Sequence, residues 1–313
     1  MPAGLDVVIV SYRCEELLRS CLESLRAHPA PVETRVQVVD NASGDGTAEM
    51  VAHEFPEVEL TVNDRNVGFS AANNLAIARG SAPYVLVMNP DVRLTAGALR
   101  RLLALMDERA EVGISGPKLL RPDGSLDHAG RRAFPTPLSA LGHFTGLGRR
   151  EGAGGALAAY RAPGVERGPV DAVNGAFMLI RRSALDEVGL FDEGYWMYME
   201  DLDLSYRFAR AGWITYYEPD ATAVHEKGGS AGDVRDARLT RAFHYGMYRF
   251  YRKHYASERN LLLNLAVYCG IGVKLVLALA RSFAIRAVWR IRETGPGGVE
   301  AEGRGSRVGG GGW

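Results

Sequence analysis

The feature that most restricts how this chain folds is an alternation through its first third. Short β-rich runs at Leu5–Val10, Val36–Val39, Val58–Val62 and Tyr84–Met88 take turns with helical periodicity at Glu15–Ala27, Thr47–His53, Ala71–Arg79 and Ala96–Glu108, the last with Thr95 placed as an N-cap. Such alternation predicts an α/β chain with a mostly parallel central sheet and helices on both faces. Ligands of such sheets bind beyond the C-terminal ends of the strands. Polar residues stand there: Ser11-Tyr12, Asp40-Asn41 and Asn89-Pro90-Asp91 each follow a strand immediately.

The pattern then weakens. Residues 121–169 are rich in Gly, Arg and Pro and read as an irregular, partly mobile excursion. A strand-like run at Val173–Ile180, helices around Ser183–Val188 and Asp201–Ala211, and a strand at Trp213–Tyr217 restore order, followed by an aromatic-basic helix at Phe243–Tyr255 and the apolar stretch Leu261–Ala280. At 313 residues the chain exceeds the ~100–200 of one ordinary domain. The expected division is a main α/β domain over 1–240, a basic and apolar helical segment over 241–294, and a glycine-rich disordered tail over 295–313.

Charge follows the same division. The chain is neutral overall, yet residues 1–240 hold 25 Lys+Arg against 33 Asp+Glu, and residues 241–292 hold 10 against 1. A basic, apolar segment behind an acidic body points to an anionic membrane surface rather than to nucleic acid. Three separated cysteines, Cys14, Cys21 and Cys269, form neither a zinc spacing nor a disulfide framework, and no basic n-region precedes an apolar stretch at Met1. These features suit a reducing, cytoplasmic setting.

Four constellations can carry chemistry. Asp40, opening Asp40-Asn41-Ala42-Ser43-Gly44-Asp45-Gly46-Thr47, can accept the imide N–H of a uracil-type base, although the same residues suit an ordinary strand-to-helix turn. Asn89-Pro90-Asp91 offers a carboxylate and an amide oxygen to a divalent cation already held by a diphosphate, and is also a common turn tripeptide. Glu200-Asp201-Leu202-Asp203 opens a helix behind the aromatics Tyr195, Trp196 and Tyr198. Its carboxylates lie ~100° apart around the helix, so at most one is a general base while another serves the helix N-terminus. His225 can complete a metal shell, or be a structural histidine.

Taken in order, these residues resemble the family 2 glycosyltransferases of the GT-A nucleotide-diphospho-sugar transferase fold, in particular a rhamnosyltransferase-like branch. The likeness covers residues 5–230. It rests on Val7-Val8-Ile9-Val10-Ser11-Tyr12, Asp40–Thr47, Arg65-Asn66-Val67-Gly68-Phe69, Asn89-Pro90-Asp91-Val92, Asn174-Gly175-Ala176-Phe177-Met178, Gly189-Leu190-Phe191-Asp192-Glu193, Glu200-Asp201-Leu202-Asp203, and His225 with Gly228 and Ser230. The resemblance implies that Ser11, Tyr12, Asp40, Asn66, Gly68, Asn89 and Asp91 bind the donor, and that Asp91, His225 and Asn89 hold Mg²⁺ or Mn²⁺. It also implies that Asp201 is the catalytic base and that Asn174, Gly175, Trp196, Tyr198 and Glu200 shape the acceptor site. Asn89 stands where the family's metal motif has its first carboxylate, which weakens the protein's own hold on a cation. The implied activity is inverting, metal-dependent hexosyl transfer, with rhamnose the best guess, from a dTDP or UDP sugar to a saccharide or lipid-linked saccharide in cell-envelope or polysaccharide synthesis.

Leu261–Ala280 has about the ~20 residues that span a bilayer, but Lys274 lies inside it and Gly270 and Gly272 weaken a helix. Arg249, Arg252, Lys253 and Arg259 on one side and Arg281, Arg286, Arg290 and Arg292 on the other suit a helix lying on the inner face of the cell membrane. A spanning helix, a core helix or a homodimer contact are the other readings. Two further function classes stay open: a sugar nucleotidyltransferase, which should carry a Gly-rich basic loop after its first strand where this chain has Ser11-Tyr12-Arg13-Cys14-Glu15, and a non-catalytic glycan-binding scaffold, which would need no Asp91, Asp201 and His225.

Overall fold

A computed structural model describes residues 4–135, 165–226 and 236–294, with the side chains of 284–294 excepted. The alternation becomes a succession of βα units: β1 (Leu5–Ser11), α1 (Glu15–Ala27), β2 (Thr34–Asp40), α2 (Thr47–Glu54), β3 (Glu59–Val62), α3 (Phe69–Ile77), β4 (Tyr84–Met88), β5 (Val92–Leu94) and α4 (Ala98–Glu108). There follow β6 (Val112–Leu120), β7 (Arg131–Arg132), β8 (Gly168–Val170), β9 (Ala172–Val173), β10 (Phe177–Arg181), α5 (Arg182–Val188), α6 (Glu200–Arg210) and β11 (Ile214–His225). The main sheet runs β3-β2-β1-β4-β10-β6-β11-β5, with β8 against β11. The β1, β2, β3 and β4 pairings and the β6–β11 pairing are parallel, whereas β10 runs antiparallel to both β4 and β6.

Every residue of β1 and of β4 is buried, as their unbroken apolar runs require of strands covered on both faces. Leu5, Val7 and Ile9 share one cluster with Leu18, Cys21 and Leu22 of α1, Met50 and Val51 of α2, and Leu99, Leu102 and Leu103 of α4. The alternate residues Val8 and Val10 face the other side, where α3 packs on β1 and β2. Each such aliphatic side chain contributes about 1.5–3 kcal/mol of burial, which fixes strand register because a one-residue slip would turn the whole set outward.

Several expectations need correction. Thr95 does not cap α4; Gly97 occupies that position in a left-handed conformation, and the Thr95 hydroxyl donates instead to the Thr222 carbonyl at 2.8 Å. β6 escapes a sequence reading because Gly113, Gly116 and Pro117 look like loop residues. The glycines are there for space: a Cβ on Gly113 would lie 2.7 Å from the Phe208 ring, and one on Gly116 2.8 Å from Val173. β11 extends to His225, well past Tyr217. Residues 121–169 are not irregular throughout. Arg121 N donates to Ser125 O at 2.8 Å, β7 pairs with β9, and β8 with β11. Residues 136–164, where mobility is expected, lie outside the described residues, as does the tail from Gly295.

The chain separates into two compact units, Met1–Gly229 and Ser230–Trp313. The second contains α7 (Ala237–His254), a 3₁₀ turn at Ala256–Glu258 and α8 (Leu261–Thr294). Asp236 caps α7 by accepting Ala237 N at 2.5 Å. The two helices are joined by Tyr251, whose hydroxyl donates to Asn264 Oδ1 at 2.8 Å, and by Tyr268, whose ring centre lies 5.2 Å from that of Tyr248 with the planes tilted by 56°. Gly270 and Gly272 do not interrupt α8. Its segment Leu261–Phe283 is long and apolar enough to cross a membrane, with a mean hydropathy of 2.0 and almost none of it buried.

Candidate active site

The loops beyond β1, β2, β3 and β4 meet at one edge of the sheet. Ser11 and Asp40 are register partners at the ends of β1 and β2. Asp40, only 1% exposed, accepts the Ser11 hydroxyl on Oδ1 at 3.1 Å and the Ser43 amide on Oδ2 at 3.0 Å, and Ser43 Oγ also donates to Oδ1. Ser43 Oγ in turn accepts Arg13 N at 2.9 Å, and the Arg13 guanidinium lies 5.3 Å from the centre of the Tyr12 ring. Arg13 and Ala42 both have positive φ, 51° and 62°. Left-handed backbone in non-glycine residues is uncommon and gathers where a loop is shaped for a ligand.

Asn41 ties the next two loops together, donating from Nδ2 to Gly68 O at 3.2 Å and accepting Asn63 Nδ2 at 2.8 Å. Asn66 Oδ1 accepts Gly68 N at 2.9 Å, while its Nδ2 is buried with no hydrogen-bond partner. Gly68 has φ 92° and lies so close to Trp196 that a Cβ would stand 2.5 Å from the Trp196 carbonyl oxygen. That carbonyl accepts Phe69 N at 2.8 Å. The donor-side residues named from sequence and the aromatic Trp196 are thus joined through backbone.

Asn89 and Asp91 follow β4. Asn89 Oδ1 is a buried oxygen without a hydrogen-bond partner, and the buried Asp91 Oδ1 meets only the His225 ring. His225, at the end of β11, is held opposite them by the antiparallel β5–β11 pairing, in which it partners Val92. Its Nε2 lies 3.4 Å from Asp91 Oδ1 and its Nδ1 3.1 Å from Asp127 Oδ2. Burial pulls the imidazole pKa down, but the Asp127 and Asp91 carboxylates outweigh it and raise it to about 9. The described residues contain no group of three or more His, Cys, Asp or Glu side chains arranged to hold a metal ion. Asp91, His225 and the partnerless Asn89 Oδ1 are few ligands, a set that suits a cation arriving with others already bound.

The turn Asn174–Ala176 connects this region to α6. Ala176 O accepts Asn89 N at 2.9 Å, Asn174 Oδ1 accepts Ala176 N at 2.9 Å, and Gly175 N donates to Asp201 Oδ2 at 2.8 Å. Asp201 therefore stands one turn of chain away from Asn89-Pro90-Asp91. Its Oδ2 also takes an ion pair from Arg132 Nη2, and Oδ1 accepts Leu202 N at 2.7 Å. Tyr198 and Met199, with φ 71° and 74°, form a consecutive left-handed pair that delivers Glu200 and Asp201 to the helix start.

The three carboxylates of α6 do different things. Asp203 is fully buried and accepts Tyr195 OH at 3.2 Å and Arg207 Nε at 2.8 Å, while Arg207 also donates to the carbonyls of Val188, Gly189 and Leu190. It is an anchor for the Gly189–Glu193 loop. Glu200 is buried, its Oε2 has no partner, and burial together with the Asp201 charge pushes its carboxyl up to about 8. Sequence reasoning missed Asp127 and Arg132, and it quoted Asn41 and Ser43 within the Asp40–Thr47 stretch without giving either a role of its own.

Residues 6–189 match the glycosyl transferase family 2 model, and residues 162–291 match glycosyl transferase family group 2. The chain is 36% identical over 260 residues to the N-acetylglucosaminyl-diphospho-decaprenol L-rhamnosyltransferase of Mycobacterium tuberculosis, covering 79% of this chain and 83% of that one. It is 26% identical over 228 residues to the rhamnosyltransferase WbbL of Escherichia coli, covering 70% and 82%. Among solved structures it resembles the mannosyltransferase PcManGT from Pyrobaculum calidifontis, solved with GDP-Man and Mn²⁺, at a TM-score of 0.55 and 17% identity over 93% of this chain and 75% of that one. The fold is GT-A, and the chain belongs to glycosyl transferase family 2.

Proposed function

We propose that this glycosyltransferase moves a rhamnosyl residue, with inversion, from a nucleoside-diphosphate donor to a saccharide linked to a polyprenyl diphosphate. The relatives' names support the sugar and the acceptor class. The observation that carries the reading is the hydrogen-bonded path from Asp201 Oδ2 through Gly175 and Ala176 to Asn89, which puts a carboxylate beside the Asn89-Pro90-Asp91 loop. Asp40 and Ser11 face the base, Tyr12, Asn66 and Gly68 line the same cleft, and Asn174, Trp196 and Tyr198 border the acceptor.

The acceptor hydroxyl attacks the anomeric carbon from the face opposite the diphosphate, and the C–O bond to the diphosphate breaks as the new bond forms. Asp201 takes the hydroxyl proton on Oδ1, which accepts a single hydrogen bond, from Leu202 N, whereas Oδ2 accepts from both Gly175 N and Arg132. Glu200, protonated at neutral pH, donates a hydrogen bond to a sugar oxygen. Asp91, His225 and Asn89 would hold a Mg²⁺ or Mn²⁺ ion, which supplies charge neutralisation for the diphosphate. The basic apolar segment attaches the enzyme to the inner membrane face, where a lipid-linked acceptor resides; α8 leaves Leu262, Val276 and Leu277 exposed.

Asp201→Asn tests the reading. General-base help is worth ~10²–10⁴-fold, so turnover should fall by at least ~10²-fold while dTDP binding by calorimetry is retained. Near-normal turnover would remove Asp201 from the mechanism.

A further inference from the structure

His225 touches a residue, Asp127, that belongs to none of the motifs on which the family resemblance rests. The two residues are 98 positions apart, and both are buried, Asp127 at 2% exposure. Asp127 is itself fixed on two sides. Its amide donates to Leu119 O at 2.9 Å, at the end of β6, and its Oδ1 accepts Ala129 N at 3.0 Å. Only Oδ2 is directed to the imidazole, at Nδ1. Because β6 and β11 are parallel neighbours, with Leu120 paired to Val224, the sheet sets the distance between carboxylate and ring.

We infer that Asp127 is a positioning residue for cation binding: by accepting the Nδ1–H of His225 it fixes the tautomer and rotation of the ring, so that Nε2 is presented beside Asp91 Oδ1. The inference rests on the reading of Asp91 and His225 as the holders of the donor's cation. The two ring nitrogens point to opposite sides, so Asp127 cannot share an ion with Nε2 and is not a ligand. Carboxylate partners of ligating histidines raise ligand basicity and orientation, and their loss costs about 10–100-fold in metal affinity. With Asn89 in place of a carboxylate, the site has one negatively charged ligand of its own, and an oriented imidazole matters correspondingly more.

The test uses the full chain and a Mn²⁺ titration in excess dTDP, read as loss of the free Mn²⁺ electron paramagnetic resonance signal, with thermal melting of each variant. Asp127→Ala should weaken Mn²⁺ binding by roughly 10–100-fold, as His225→Ala does, and leave dTDP binding without metal unchanged. Asp127→Asn, whose amide oxygen still accepts from Nδ1–H, should recover most of the loss. Asp127→Glu keeps the charge but moves the oxygen by one methylene; it should bind Mn²⁺ at least ten-fold more weakly, and it decides the matter if Asp127→Ala does not fold. Wild-type Mn²⁺ affinity in a folded Asp127 variant, with His225→Ala weakened, would overturn the positioning role and leave Asp127 a structural residue. An unchanged His225→Ala would overturn the cation reading itself.

Discussion

Replacing Gly68 by Ala tests whether the loop after β3 and the Trp196 segment are one mechanical unit. Gly68 has φ 92° and ψ 174°, a region that residues with a Cβ enter only at a cost of about 1–3 kcal/mol. The added methyl would stand 2.5 Å from both Trp196 Cδ1 and the Trp196 carbonyl oxygen. Relieving that overlap pulls apart the hydrogen bond from Phe69 N to Trp196 O, worth a further ~0.5–1.5 kcal/mol. The expected total is about 2–4 kcal/mol. At roughly 2–4 °C per kcal/mol for a unit of this size, melting should fall by about 5–15 °C. Gly97→Ala is the control: Gly97 also has a positive φ, 79°, but a Cβ there meets nothing within 4 Å, so only the ~1–2 kcal/mol backbone cost applies. Differential scanning calorimetry of both variants, with kcat/KM for transfer, separates the two contributions. Equal losses in the two variants, or a Gly68→Ala enzyme with unchanged kcat/KM, would refute the coupling between the loop after β3 and Trp196.

Two further expectations concern proton and membrane. Burial and the Asp201 charge raise the Glu200 carboxyl to about 8, so the native state binds the extra proton between the ordinary carboxylate range and about 8. The stability this gives is present below about pH 4.5 and lost as pH rises toward 8; the advantage of Glu200→Gln in urea midpoint should therefore grow from pH 5 to pH 8, and a flat difference would contradict it. Val273 and Leu277 are 59% and 63% exposed on α8, and replacing both by Glu should abolish sedimentation with anionic vesicles while leaving transfer to a soluble acceptor intact. Undiminished sedimentation would rule out this face as the attachment surface.

How much of this was legible depends on whether a residue's role is local. The βα alternation, the polar residues after β1, β2 and β4, and the carboxylate cluster of α6 are local patterns, and the helix at Glu15–Ala27 has the bounds its periodicity gives. Division of labour within Glu200-Asp201-Leu202-Asp203 was half legible. Helical spacing says the three acids face apart, but only the contacts of Arg207 and Tyr195 identify Asp203 as the anchor. β6 was hidden because its glycines answer to Phe208 and Val173, which are distant in sequence. Asp127 was hidden for the same reason: its partner comes from a strand 98 residues later.

The reversed direction of β10 has a consequence for how such enzymes diversify. A strand that runs against its neighbours begins where they end, so the turn entering it at Asn174–Ala176 opens onto the same rim as the loops leaving β1, β2 and β4. On the proposed reading, recognition of the incoming hydroxyl falls to later stretches of polypeptide, and recognition of the nucleotide to earlier ones. The two meet where Gly68 touches Trp196, so a lineage that changes what it decorates has to keep that contact.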